Sequence, residues 1–251
     1  MIERQGVVHH LLDVVSINDE YSAANFCDDA QMAITEILEK GKVPVLAGGT
    51  GLYFRILLQD FDLPRVAPDK ELRKKLEEKS SCELYKMLFE LDPVIAGKIH
   101  QNNKVKIIRA LEVCKTLNIP MSEAQKKKNP PYKTLWFGLN ALNRNFLYDR
   151  VNKRVDTMME AGLLNEAENL FQNFPCNKIL LNTIGYQEFY PYIQKEITLE
   201  DAVNTLKQNT RRYVKRQISW FNANKDIKWF DIEKQNSDEI IKTILLNYNN
   251  L

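Results

Sequence analysis

The glycine-rich segment Gly48-Gly49-Thr50-Gly51 combines residues that could hold a ligand and act on it. Glycines let the backbone approach a ligand closely, and free N–H groups at the start of a helix attract anions. Thr50 would place a hydroxyl at the carboxyl end of a sheet strand, where α/β proteins bind their ligands. A tight strand-to-helix turn that needs glycine for its dihedral angles explains the segment equally well. No glycine-lysine-serine or glycine-lysine-threonine sequence occurs in the chain, so the segment is not a Walker A loop.

A basic stretch that begins at Thr210 is the second candidate. Plotted at about 100° per residue, its helix has a mostly apolar face opposite a cationic one. The apolar face holds Val203, Leu206, Tyr213, Val214, Gln217, Trp220 and Phe221. The cationic face holds Arg211, Arg212, Lys215 and Arg216. No acidic residue lies between Asp201 and Asp226, so these cations lack partners on their own helix. A solvated basic face and a helix lying along a phosphate backbone are both open interpretations.

Arginines just after the predicted strand 134–139 are the third candidate. Arg150 and Arg154 are one helical turn apart, and they could clamp a diphosphate bidentately. Arg144 lies closer to the strand. Surface ion pairs with Asp149 or Asp156 are the simpler interpretation of these residues taken alone.

An α/β framework is predicted to position these candidates. Gly6–Val15 is apolar and rich in valine, which predicts a buried strand. On a strand His9 and His10 point to opposite faces, one into the core and one near a site, so they cannot share a metal. Ser22 caps a helix that runs to Lys40, and Val43–Ala47 is a second short strand. Strand, helix, strand, glycine loop and helix in this order predict a parallel sheet.

The middle of the chain predicts helices only. From Asp69 to Ile119 no strand signal occurs, and prolines together with the lysine run 126–128 bound this section. Strands return at Thr134–Leu139 and Ile227–Ile232, with long helices between them at about 145–174 and 199–222. A terminal helix follows. We therefore predict a sheet domain that is split by a helical insertion. Its parts are residues 1–63 of the core, the insertion 64–131, and the second core part 132–251 with the basic helix.

The composition is that of a globular intracellular protein. Hydrophobic residues make up 44% of the 251 residues, and the net charge of +2 is too small to indicate a nucleic-acid binder by itself. The four cysteines share no metal-ligand spacing. The amino terminus lacks the apolar core of a signal peptide, and no apolar run reaches membrane-spanning length. We expect a cytoplasmic monomer that has no membrane segment and no metal-ligand cluster of its own.

A series of segments along nearly the whole chain resembles one family. They are RQGVVHHLLDVV, YSAANF, VPVLAGGTGLYFRILL, LDPVIAGKIHQNN, IIRALEV, RVNKRVDTMMEAGLLNEA, TIGYQEF and TRRYVKRQISWF. Single pieces are weak signals, but GGTGLY, RALEV and KRQ-x-x-W in this order and spacing are specific. On this resemblance the chain is identified as a member of the tRNA dimethylallyltransferases, also called tRNA isopentenyltransferases.

The resemblance implies both a fold and a reaction. The fold is a P-loop NTPase-like α/β domain with a parallel sheet, and its helical insertion reaches over the tRNA anticodon stem-loop. The reaction transfers a dimethylallyl group from dimethylallyl diphosphate to N6 of the adenosine beside the anticodon. The adenine must be flipped out to be reached, and Mg²⁺ with cationic groups stabilises the leaving diphosphate.

The resemblance also assigns site residues. Thr50 is the catalytic residue and lies beside the reacting adenine. Residues facing the diphosphate are Gly48, Gly49, Arg150 and Arg154. The tRNA-binding residues are Thr50, Arg73, Lys106, Ile107, Ile108, Arg109, Thr183, Ile184, Gly185, Tyr186, Gln187, Glu188, Lys215, Arg216, Gln217 and Trp220.

The chain departs from the family pattern at several positions. Lys106 stands where arginine is usual, Asn143 where aspartate is common, and Gln187 where arginine is frequent. The family's first strand, its phosphate loop ending in glycine-lysine-threonine or -serine, and the segment with its aspartate general base all precede the part that matches Ile2. These 251 residues do not contain them, so we expect little transferase activity from these residues alone. A tRNA-binding remnant without catalysis is the alternative.

Overall fold

The computed structural model describes residues 6–59, 64–125 and 129–250, which form two compact units. The first unit comprises the described parts of Met1–Leu12, Tyr21–Ala47 and Leu52–Lys133. The second comprises the described parts of Asp13–Glu20, Gly48–Gly51 and Thr134–Leu251. The predicted boundary at residue 63 and the lysine run 126–128 lie outside the described residues.

Helices predominate throughout the described chain. Up to residue 133 they are α1 (Ala23–Glu39), α2 (Gly51–Leu58), α3 (Lys70–Glu77), α4 (Ser81–Leu91), α5 (Pro93–Ala96), α6 (Lys104–Leu117) and α7 (Met121–Ala124). From residue 134 the elements are β1 (Phe137–Asn140), α8 (Arg144–Glu160), α9 (Leu163–Asn173), α10 (Tyr190–Ile193), α11 (Leu199–Phe221), β2 (Lys228–Asp231) and α12 (Ser237–Asn249).

Side-chain caps begin several of these helices, and one of them is at the predicted residue Ser22. The Ser22 hydroxyl accepts a hydrogen bond from the Asn25 N–H, and the Asn25 side chain accepts one from the Ser22 N–H. This reciprocal pair satisfies two N–H groups that the first turn would otherwise leave open. Ser80 and Glu83 form the same arrangement at the start of α4. The predicted start of the helix after Ser22 is therefore confirmed.

Helices α3 to α7 share one hydrophobic core within the first unit. Its buried residues are Leu76, Leu84, Leu88, Ile95, Ala96, Ile107, Ile108, Ala110 and Leu111. The buried carboxylate of Asp92 caps α5 and accepts hydrogen bonds from the N–H and hydroxyl of Ser122, which lies on α7. The helical character predicted for Asp69–Ile119 is confirmed.

A second core in the first unit lies between α1 and α2. Phe26, Cys27 and Ala30 of α1 are buried against Ile56 and Leu57 of α2. The Phe26 ring also stacks on Tyr53 with their centroids 4.0 Å apart. This packing anchors the helix that follows the glycine-rich segment.

The second unit contains a small parallel sheet and long helices. Strands β1 and β2 pair in parallel, with Gly138 opposite Trp229 and Asn140 opposite Asp231. The helical core of this unit holds the buried residues Val155, Leu163, Ala167, Phe189, Ala202 and Leu206. Parallel pairing next to helices is the arrangement that an α/β sequence pattern predicts. The predicted α/β class is confirmed.

Two predicted strands do not form in the described residues. The structure has no strand in Gly6–Val15 or Val43–Ala47, and Val8 and Val45 are 72% and 84% exposed. A strand requires a hydrogen-bonded neighbour, and neither segment has one among the described residues. His9 and His10 are both exposed, so the prediction that one of them lies in the core is wrong.

The helix predicted at about 145–174 is two helices. α8 ends before Gly162, and α9 begins after it. Gly162 has φ 99°, a left-handed conformation that glycine adopts without steric penalty. A helix cannot continue through such a residue, so the chain changes direction there.

None of the described helices combines the length and the apolar character that crossing a membrane requires.

Candidate functional site

Several candidate site residues lie on helix α11 of the second unit or contact it. The Thr198 hydroxyl accepts a hydrogen bond from the Asp201 N–H, and the Asp201 carboxylate accepts one from the Thr198 N–H. Acidic residues in the first turn also favour the positive end of the helix dipole. The helix then runs for 23 residues. Its inner face, including Ala202 and Leu206, is buried in the helical core of the unit.

The glycine-rich segment lies against the last turns of α11. The Gln217 Nε2 atom donates a hydrogen bond of 3.1 Å to the carbonyl oxygen of Gly49. The Trp220 indole packs closely against Gly51. A Cβ atom added to Gly49 would overlap the Gln217 amide, and one added to Gly51 would overlap the Trp220 ring. Thr50 stands between these two contacts and is exposed.

The two glycines admit close contacts that the sequence does not show. Neither Gly49 nor Gly51 has a positive φ, so dihedral angles do not demand glycine at these positions. At Gly51 a Cβ atom would meet the Trp220 ring, and at Gly49 it would displace the flexible end of the Gln217 side chain. The sequence left a ligand-approach loop and a tight turn as alternatives, and the structure adds side-chain packing as a third reason.

Helix α8 packs against one side of α11, and its side chains bind two of the α11 cations. An Arg211 guanidinium nitrogen donates to the Asn152 Oδ1 atom at 2.6 Å, and Lys207 forms an ion pair with Asp156. Arg211 is half-buried, so it is less accessible than the other residues of the predicted cationic face. A residue of a neighbouring helix accepts its hydrogen bond, which the periodicity of α11 alone could not indicate.

The cations of α11 that remain exposed are Arg212, Lys215 and Arg216. The Arg216 guanidinium lies 5.8 Å from the centroid of the Tyr213 ring. Such a contact limits the conformations of the arginine and leaves its charge at the surface. These three residues, the exposed α11 cations, form a positive patch on the helix.

Arg150 and Arg154 are both exposed on α8. The Arg150 guanidinium lies 5.9 Å from the Phe146 ring centroid. Asp156, one of the partners considered for these arginines, instead binds Lys207 of α11. Of the two acidic residues predicted as partners, Asp156 therefore forms its ion pair with Lys207 instead. Both guanidinium groups face solvent.

The segment Thr183–Glu188 is tied to α11 through a buried carboxylate. Glu188 is only 4% exposed. It accepts hydrogen bonds from the Gly185 N–H at 2.9 Å, from the Gln187 Nε2 atom at 2.9 Å and from the Asn209 Nδ2 atom at 2.8 Å. Gly185 has φ 106°, so this turn does need glycine for its backbone conformation. Glu188 therefore orients the segment and does not present its charge at the surface.

Tyr186 is held by a second acidic residue. Its hydroxyl donates to the Glu166 Oε1 atom at 2.6 Å. Burial and this hydrogen bond to a carboxylate raise the pKa of Tyr186 to about 12. The phenol stays protonated at neutral pH and its single O–H is donated to Glu166, so towards a ligand the Tyr186 oxygen can only accept a hydrogen bond.

The structure reveals positioning residues that the sequence did not single out. Asn152 and Asn209 lie inside long helices, where asparagine is a poor helix former. Each bonds a side chain of another segment or helix, Arg211 in the first case and Glu188 in the second. Asparagine at a helix interior is the signal that could have indicated these contacts.

In the first unit, the predicted tRNA-contacting arginines surround a buried glutamate. Glu112 is fully buried, and it accepts two hydrogen bonds from Arg73 at 2.8 and 2.7 Å. It also accepts hydrogen bonds from Arg109 and from the Asp69 N–H, the latter at 2.7 Å. Burial raises the pKa of Glu112, but the hydrogen bonds from both arginines and Asp69 outweigh it and lower the pKa to about 2.

The segment Lys106–Arg109 divides between surface and core. Ile107 and Ile108 are 0% and 7% exposed and belong to the hydrophobic core of α3–α7. Their side chains therefore do not form part of the surface. Lys106 is exposed, and Arg109 is partly exposed beside Glu112. Among the described residues, no group of three or more His, Cys, Asp or Glu side chains could hold a metal ion.

Comparison with protein families and curated sequences gives consistent matches. The family model described as IPP transferase matches residues 1–224. A tRNA dimethylallyltransferase of Carboxydothermus hydrogenoformans is 41% identical over 250 residues, which cover 97% of this chain and 80% of that protein. A tRNA dimethylallyltransferase of Acetivibrio thermocellus is also 41% identical, over 251 residues that cover 96% of this chain and 80% of that protein.

Solved structures show the same likeness. The crystal structure of a tRNA isopentenylpyrophosphate transferase from Bacillus halodurans is 38% identical and has a TM-score of 0.70. The match covers 99% of this chain and 80% of that one. A eukaryotic dimethylallyltransferase acting on tRNA is 27% identical with a TM-score of 0.82, covering 97% of this chain and 65% of that one.

Proposed function

Because this chain belongs to the IPP transferase family, which includes the tRNA dimethylallyltransferases, we propose a specific reaction for it. The reaction is transfer of a dimethylallyl group from dimethylallyl diphosphate to N6 of the adenosine beside the tRNA anticodon. The observation that carries the proposal is the pairing of an exposed Thr50 with the basic helix α11, joined by the Gln217 hydrogen bond to Gly49. One rigid helix can thus hold tRNA phosphates and support the loop at the reacting base.

The proposed reaction is a substitution at the allylic carbon. The N6 nitrogen forms a bond to that carbon, the carbon–oxygen bond to diphosphate breaks, and the nitrogen loses its proton to a general base, the aspartate that the family resemblance places ahead of the part matching Ile2. Thr50 hydrogen-bonds to the flipped adenine, and Arg150 and Arg154 attract the diphosphate together with the backbone of Gly48 and Gly49. When bound, Mg²⁺ would stabilise the negative charge of the diphosphate. Proteins usually hold this ion through one or two carboxylates and phosphate oxygens. No metal ligand is assigned within the described residues.

Residues in each unit are proposed to contact tRNA. Exposed side chains contribute directly: Thr50, Lys106, Lys215, Arg216 and Trp220. Partly exposed residues contribute where they reach the surface: Arg73, Arg109, Thr183, Ile184, Tyr186, Gln187 and Gln217. Buried residues support the surface from beneath: Ile107, Ile108, Gly185 and Glu188. We propose that the protein acts as a monomer in the cytoplasm, where its tRNA substrate is found.

Replacing Thr50 with alanine should slow prenyl transfer and leave the fold intact. Loss of one positioned hydrogen bond removes on the order of 1–3 kcal/mol of stabilisation, which corresponds to about 5–150-fold in rate. The effect is measured as single-turnover transfer with saturating tRNA, in a version that carries the phosphate-binding loop and general-base segment ahead of Ile2. Thr50→Ser keeps the hydroxyl and should retain most of the rate. A Thr50→Ala rate equal to that of the parent would exclude a role for the hydroxyl.

Replacing Lys215 or Arg216 with alanine should weaken tRNA binding without regard to sequence. Both cations are exposed on α11, and phosphate contacts act on every stem-loop alike. Each lost contact should reduce the slope of log K against log salt by about one unit. Binding of anticodon stem-loops across a salt series gives this slope. Lys242→Ala, an exposed lysine on α12, is the matched control and should leave it unchanged. If Lys215→Ala and Arg216→Ala bind like the parent, as the control Lys242→Ala should, α11 is not the contact surface.

The same proposal sets an expectation for a polypeptide made of only these 251 residues. They contain no glycine-lysine-threonine or -serine loop, so we propose that by themselves they bind tRNA but transfer little.

A further inference from the structure

The two contacts between α11 and the glycine-rich segment bracket Thr50. Gln217 binds the carbonyl of Gly49 on one side, and Trp220 lies at Gly51 on the other. Thr50 itself belongs to neither contact surface and remains exposed. The residue assigned to the reaction thus has its backbone held immediately before and after it.

The two side chains are suited to holding the loop. Gln217 is half-buried and uses its amide N–H on the loop carbonyl. Trp220 is 46% exposed, so about half of its surface is covered. Residues 48–50 have no helix or strand of their own, and a segment without a regular ladder depends on such contacts for a fixed backbone.

We infer that Gln217 and Trp220 are positioning residues that hold Thr50 at the reacting base, and that Gly49 and Gly51 are small in order to admit them. The inference rests on the proposed function, because that function assigns Thr50 to the adenine. The exposed cations Lys215 and Arg216 lie on the same helix, next to Gln217. Binding of tRNA phosphates and placement of Thr50 therefore depend on one rigid element.

A change at Gln217 should consequently affect rate more than affinity. Gln217→Met keeps the side-chain volume and removes the amide donor. In the protein as its gene encodes it, single-turnover transfer at saturating tRNA should fall by about 10- to 100-fold, since small misplacements of reacting groups have effects of this size. The Kd for the anticodon stem-loop should change by less than about threefold, because the Gln217 amide is bonded to Gly49 and Gln217 is only one of many proposed tRNA contacts.

The matched control is Gln208→Met, an exposed glutamine on the same helix. Gln208 lies away from the glycine-rich segment, beside Asn204 and Arg211 in an open polar groove. Its replacement should change neither rate nor Kd. A Gln217→Met protein with a higher Kd and an unchanged saturating rate would overturn the inference, because Gln217 would then act as a tRNA contact only.

Adding a methyl group at residue 49 tests whether Gly49 is small in order to admit Gln217. Gly49→Ala should displace the Gln217 amide and slow transfer, and Gln217→Ala should slow it by removing the amide. Since both changes break the same contact, the double variant should be no slower than the slower single variant. Rate losses that multiply would show two independent effects and contradict the inference.

Backbone ¹⁵N relaxation tests the tether without relying on activity. In Gln217→Met the order parameters of the N–H groups of residues 49–51 should fall below those of the parent, while those of the α8 core stay unchanged. Parent-like order parameters at these residues would overturn the inference. If the parent binds tRNA but transfers nothing, the proposed function fails, and the relaxation comparison still decides whether Gln217 holds the loop.

Discussion

A polypeptide of these 251 residues alone should transfer dimethylallyl at least about 10⁴-fold more slowly than a version carrying a phosphate-binding loop and general-base segment ahead of Ile2. Loss of a general base removes about 10²–10⁴ in rate, and loss of charge stabilisation at the leaving diphosphate should remove at least as much. Arg150 and Arg154 are exposed and attract the anion, but they cannot replace a cradle of convergent N–H groups with its lysine.

The comparison requires both proteins to be folded. Circular dichroism melts and binding of an anticodon stem-loop establish this for the 251-residue polypeptide, whose α11 cations should still bind phosphates. Both proteins then receive dimethylallyl diphosphate, Mg²⁺ and cognate tRNA under single-turnover conditions. Comparable rates would refute the prediction and show that these residues suffice for the reaction. Binding without transfer in both proteins would favour the tRNA-binding remnant.

Glu112→Gln should destabilise the first unit by about 3 kcal/mol, at the lower end of the range for breaking a buried ion pair. The carboxylate is fully buried and neutralises two arginines. The side chains of Arg73 and Arg109 are 36% and 34% exposed, so water can partly hydrate them when the anion is lost. Urea unfolding followed by circular dichroism measures the change, with Glu90→Gln, an exposed glutamate on α4, as the control. A loss below about 1 kcal/mol, the size of a surface pair, would contradict this account.

The stability difference between parent and Glu112→Gln should depend on pH. The pKa of Glu112 is lowered from 4.5 to about 2 in the folded protein. The unfolded state therefore binds a proton at a higher pH than the folded state does, and the contribution of the carboxylate is complete above about pH 4.5. It declines as the pH falls from there towards 2. Unfolding curves of both proteins across this window should converge at the acidic end, and a constant difference would contradict the assignment.

Local patterns in the sequence were sufficient for much of the fold. The cap at Ser22, the helical section from Asp69 to Ile119, and the positions of the strands near residues 137 and 228 match the structure within a few residues. Each of these features depends on residues that are close together in the sequence. The strands expected at Gly6–Val15 and Val43–Ala47 are absent because pairing depends on a neighbour and not on the strand's own residues.

The sequence by itself determined the family, through GGTGLY, RALEV and KRQ-x-x-W, and with it the proposed reaction at Thr50. Only the tertiary structure decided which candidate side chains are available. It buries Ile107 in a core, ties Arg73 to Glu112, and turns Arg211 towards Asn152. The reason is distance along the chain, since Gln217 and Gly49 are 168 positions apart and no local period relates them. Their contact exists because the fold brings a helix end to a glycine loop, and it explains why residue 49 carries no side chain.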